Sequence, residues 1–77
     1  MNEGFYVTVK RGTKTGWLAG PFVTRDAAQA EVKRVQNVAA AIDPWTAFDA
    51  FGVSKMSLDR RLPDGVLNGY VAFPDRA

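Results

Sequence analysis

Tyr6, Lys10, Arg11, Lys14 and Trp17 are the side chains best suited to act on another molecule, two aromatics and three cations within one short stretch that contains no acid. Rings of this kind stack on bases while the cations neutralise phosphates, each stacked base contributing roughly 1–3 kcal/mol. The same five residues admit a plainer reading. In it Trp17 is covered by the C-terminal segment, or lies beside Lys10 in a cation-π contact of about 0.5–1 kcal/mol. A second group is Trp45, Phe48 and Phe51, spaced to share one face of a short helix. An aromatic triplet at that spacing belongs in the interior by default; if Trp45 is exposed instead, it becomes an anchor for a protein partner.

Catalysis finds little to work with. The chain has no histidine and no cysteine, which removes the commonest general base, the commonest nucleophile assemblies and most transition-metal sites. Of the eight carboxylates, Asp26, Asp43 and Asp64 are assigned below to a helix dipole, a cap and a turn. Asp49 and Asp59 are left over, and neither has a sequence partner that would make an acid and base pair. Gly12 and Gly16 flank Thr13-Lys14-Thr15, but the spacing is not that of a phosphate loop and a strand follows instead of a helix. The expectation is no enzyme, no cofactor and no metal.

These residues must be positioned by a small α+β fold. Phe5 to Lys10 alternates, with Phe5, Val7 and Val9 on one face and Tyr6, Thr8 and Lys10 on the other, which predicts a strand. Trp17 to Phe22 is the returning strand. With Thr13 and Lys14 as the tip, Val9 opposes Leu18, Val7 opposes Gly20, Phe5 opposes Phe22, and Lys10 lies across from Trp17. The chain then turns at Gly20-Pro21 and enters a helix capped by Thr24, with Asp26 at the positive end of its dipole. Ala28, Val32, Val35, Ala39 and Ile42 form its apolar face, and Gln29, Lys33, Gln36 and Ala40 the opposite one.

Asp43-Pro44 ends that helix and caps a short second one closed by Gly52, a single helix kinked at Pro44 being the alternative. Val53 to Asp59 and Val66 to Phe73 read as a second hairpin around a Leu62-Pro63-Asp64-Gly65 turn, with Leu58 opposite Val71 and Met56 opposite Phe73. The architecture expected is therefore an antiparallel sheet of two hairpins in ββααββ order, with a main helix and a short second helix packed on one face, in a single domain over residues 1–77.

Composition narrows the setting. Apolar residues make up 47% of the 77, enough for a core at a size where one core leaves a modest stability margin. The net charge of +2 is small but unevenly placed: residues 1–37 carry six basic and three acidic side chains, residues 38–77 four and five. A positive tip at Lys10, Arg11 and Lys14 is expected. The first twenty residues contain no continuous apolar run, so neither a leader nor a membrane span is expected, and the location expected is cytoplasmic.

Two resemblances bear on function. Gly20-Pro21-Phe22-Val23-Thr24 followed by Ala27 and Ala28 resembles the strand-to-helix step of SPOR domains, which bind peptidoglycan. Such domains use two units and no second copy occurs here, so that function is not carried over. Tyr6 to Val9, Gly20 to Phe22, Asp43 to Trp45 and Phe48 to Gly52 together resemble the order of motifs in small uncharacterised phage and prophage proteins. That resemblance implies no catalytic residue, and a compact accessory protein that acts by binding. The expected function is a non-enzymatic phage-type accessory protein with a protein partner such as a host or defence factor. The alternative is a nucleic-acid-binding module using the first hairpin, and a homodimer through a free sheet edge is compatible with either.

Overall fold

The computed structural model describes residues 2–69. Three strands, β1 (Asn2–Arg11), β2 (Lys14–Phe22) and β3 (Ala50–Leu58), form an antiparallel sheet in the order β2-β1-β3. Helices α1 (Arg25–Ala30) and α2 (Val32–Ile42) lie between β2 and β3 in sequence, followed by a 3-10 helix over Pro44–Phe48; a second 3-10 helix spans Val66–Gly69.

The α+β class stands, and the ββααββ order does not. Residues 66–69 form a 3-10 helix rather than the start of a fourth strand, and β3 pairs along its whole length with β1. The pairings expected of Val71 and Phe73 fall outside the described residues. The turn chemistry at Leu62-Pro63-Asp64-Gly65 is locally compatible with a hairpin, but the backbone there is claimed by β2: the Gly65 amide donates to the Gly20 carbonyl at 3.0 Å.

The first hairpin forms with a different register from the one expected. Arg11 pairs with Lys14, so Gly12 and Thr13 are the loop, and Lys10 lies opposite Thr15 while Trp17 lies opposite Thr8. Gly12 has a φ of 61°, the left-handed backbone that a two-residue loop requires and glycine alone adopts without strain. Two irregularities on β2 then restore the pairing of Phe5 with Phe22. Gly20 and Pro21 lie at the second of them, joined by a cis peptide bond.

Thr24 caps α1 as its hydroxyl predicts, accepting from the Ala27 amide at 3.1 Å, with Asp26 in the first turn. One continuous helix does not form. At Glu31 the amide turns to the Ala28 carbonyl, and the rod divides there although neither Gly nor Pro is present. The apolar face survives the division. Ala28, Val35 and Ala39 are buried against Val7, Ala19 and Phe22, with Val32, Phe51 and Val53 packed beside them. Burying a side chain the size of Val35 or Phe22 stabilises by about 1.5–3 kcal/mol each. Ile42, the last residue of that face, is exposed.

The opposite face of the sheet is covered by the chain after β3. Leu62 is buried there, and the Tyr6 hydroxyl donates to the Pro63 carbonyl at 2.5 Å. Thr8, also buried, shares its hydroxyl between Ser54 Oγ at 3.3 Å and the Gly52 carbonyl at 3.5 Å. No helix among the described residues is long and apolar enough to cross a membrane.

Candidate functional site

The first hairpin does not present its five candidate residues together. Tyr6 is fully buried, its ring edge-on to Trp17 with centroids 5.2 Å apart at 86°. Burial, and secondarily the charge of Asp64, raises its phenol above the usual 10.0. A ring held in this way cannot receive a base, which corrects the expectation that Tyr6 belongs to an exposed stacking surface. Trp17 is half-buried against it, and the covering expected from the last residues of the chain lies outside the described residues.

Arg11 is also committed. Its Nε donates to both carboxylate oxygens of Asp49, at 3.0 and 3.1 Å, and Nη2 reaches Oδ2 at 2.7 Å. Asp43 Oδ2 lies 3.8 Å from the same Nη2. The hydrogen bonds and charge of Asp49 raise the already high pKa of Arg11, so it is a fixed cation between two carboxylates rather than a free contact for phosphate. Lys10 and Lys14 remain exposed. The positive tip expected from the sequence is therefore reduced to two lysines beside a cluster of one arginine and two carboxylates. A shallow groove of about 310 Å³ runs between the end of the hairpin and the first 3-10 helix, lined by Val9, Lys14, Gly16 and Thr46 with that cluster. Asp43 and Asp49 converge on one guanidinium, which is hydrogen-bonded to Asp49 and 3.8 Å from Asp43; the carboxylates are not paired with each other as a general acid and base would be.

The second group is organised in the opposite sense to its default. Trp45 is 73% exposed and Phe48 82% exposed, their rings 6.0 Å apart. The interior reading holds for Phe51, which packs beside the core from β3, and fails for Trp45 and Phe48 because the helix the triplet needs does not form: Pro44 opens a 3-10 helix that stops at Phe48. Asp43 caps this short element through the Trp45 amide at 3.1 Å and holds the Thr46 hydroxyl on its carbonyl at 2.8 Å. Asp49 then ties its other end to Arg11. Two carboxylates thus fix a five-residue segment whose aromatic pair faces water, and Ile42 at the end of α2 adds a third exposed apolar side chain immediately before it.

Phe48 and Ile42 were not legible as parts of an exposed patch, since both sit at positions of apolar periodicity. The usable signal is the pair Asp43 and Asp49, which bracket the segment and mark it as too short for a buried helix. No group of side chains suited to a metal ion occurs among the described residues. No family model, curated protein or solved structure matches the chain.

Proposed function

We propose that this chain is a small non-enzymatic accessory protein that acts by binding another protein, with Trp45 and Phe48 as the anchor and Ile42 at its margin. The observation that carries this reading is the exposure of Trp45 and Phe48, 73% and 82%, on a segment pinned at both ends. Adjacent exposed aromatics of this size form an apolar patch of a few hundred Å², the scale at which surface patches on small proteins serve recognition. Pinning matters because an anchor already held in place loses less conformational freedom on binding. The arginine beside the patch is taken up by Asp49, which suits a protein interface better than a phosphate track. The resemblance to phage proteins supports a host factor as the class of partner.

The nucleic-acid reading keeps Lys10, Lys14 and part of Trp17 but loses Tyr6 to the interior and Arg11 to Asp49. Retention of a host protein on immobilised chain distinguishes the two. Binding through the anchor is expected to survive nuclease treatment and to weaken at least tenfold in Trp45→Ser, with Lys10→Gln and Lys14→Gln retaining it. Binding that vanishes with nuclease, or falls steeply with salt and with the lysine substitutions, contradicts the proposal.

A further inference from the structure

The two outer edges of the sheet are treated differently. On β2 both backbone polar groups of Gly20 are occupied: its amide donates to Asn68 Oδ1 at 3.1 Å, and its carbonyl accepts from Asn68 Nδ2 and from the Gly65 amide. Pro21, next along that strand, has no amide to offer. On β3 the backbone hydrogen bonds of Ala50–Leu58 go to β1 alone among the described residues. This edge is nine residues long, contains no proline and is left open by the described residues, and an open edge of that kind is a template for another strand.

Its outward groups can be assigned. The hairpin closes on Arg11 and Lys14, and β1 pairs with β3 without a bulge, so even-numbered residues of β1 direct their amides and carbonyls to β3. On β3 it is then Phe51, Val53, Lys55 and Ser57 whose backbone groups face away from the sheet. An antiparallel neighbour related by a two-fold axis at Gly52 sets Phe51 opposite Val53 of the second copy, and Val53 opposite Phe51 of the second copy. Both residues pack on the helix-covered face, so the apolar layer runs from one molecule into the next. The same register sets Lys55 opposite Asp49 of the second copy, twice over. Lysine on an edge strand ordinarily deters pairing, but this one is flanked by Glu3 Oε2 at 3.4 Å in its own chain, while Asp49 across the axis is held by its own Arg11. Shifting the axis to Met56 would instead bring Val53 against Asp59. At the axis itself backbones approach most closely, and Gly52 has no side chain and nothing among the described residues within 4 Å of where a Cβ would stand.

From this self-complementarity we infer that the outer edge of β3 binds a second copy of the chain, making one continuous six-stranded sheet about a two-fold axis at Gly52. The inference does not rest on the aromatic anchor, whose nearer residue, Phe48, stands two positions before β3. Sedimentation of the full chain over a rising concentration series tests it, together with Gly52→Lys and Trp45→Ser. The expected mass is twice 8.4 kDa for the unaltered chain and for Trp45→Ser. Gly52→Lys is expected to remain at the single mass with an unchanged circular dichroism spectrum, since the site is open in the monomer and two cations would meet at the axis. Amide exchange at Phe51, Val53 and Lys55 in the unaltered chain, read without any substitution, is expected to slow as concentration rises. A single mass up to millimolar concentration, dimerisation unaffected by Gly52→Lys, loss of the dimer in Trp45→Ser, or exchange at those amides that ignores concentration overturns it.

Discussion

Tyr6 shows at the scale of one residue how a side chain suited to recognition becomes a structural one. Its hydroxyl donates to Pro63 and its ring meets Trp17 beneath the segment that follows β3. Tyr6→Phe is expected to cost about 0.5–1.5 kcal/mol in denaturant unfolding, the usual net contribution of one hydrogen bond. It should also alter the response to alkali. Because the folded phenol titrates above 10.0, the unfolded chain loses that proton first; stability is fully present below this pH and falls as pH rises from there toward the folded value. That portion of the decline is expected to be absent from Tyr6→Phe. Gly65 offers a sharper steric test. A Cβ there would stand 2.6 Å from Ala19 Cα and 2.7 Å from the Leu18 carbonyl oxygen, so Gly65→Ala must displace backbone and is expected to destabilise by roughly 1–3 kcal/mol. Both contacts join residues more than forty positions apart in sequence, which is why Tyr6 read as surface and Gly65 as turn.

Elements were legible where their causes are local. Alternation from Phe5 to Val9, the Thr24 hydroxyl and the Asp43-Pro44 step each act within a few residues, and each lies where those rules place it. Pairing partners depend on distant chain instead. The residues after β3 turn back to Gly20, leaving β3 beside β1, and no pattern inside residues 53–69 encodes that choice. The first 3-10 helix is the element whose behaviour the functional reading needs. With Asp49→Asn its tie to Arg11 weakens while the core is untouched, so hydrogen exchange of the Trp45 to Phe48 amides is expected to quicken with the unfolding midpoint nearly unchanged. Equal acceleration across β1 would show that the ion pair supports the whole fold rather than this segment.

Over the whole molecule, the apolar residues divide into a set that holds the fold and a set that does not. Val7, Phe22, Ala28, Val35 and Ala39 close the layer between sheet and helices, whereas Ile42, Trp45 and Phe48 lie outside it. Sequence periodicity ran through both sets without a seam, because spacing reports which residues share a face and says nothing of where the partner layer stops. Val35→Ala is expected to cost roughly 2 kcal/mol or more through the cavity it leaves. The most direct measurement is denaturant unfolding, followed by far-ultraviolet circular dichroism, of the double substitution Trp45→Ala with Phe48→Ala. Two aromatics removed from the surface should leave stability within about 0.5 kcal/mol per site; a loss of several kcal/mol would place both rings in the core and leave the proposed anchor without a basis.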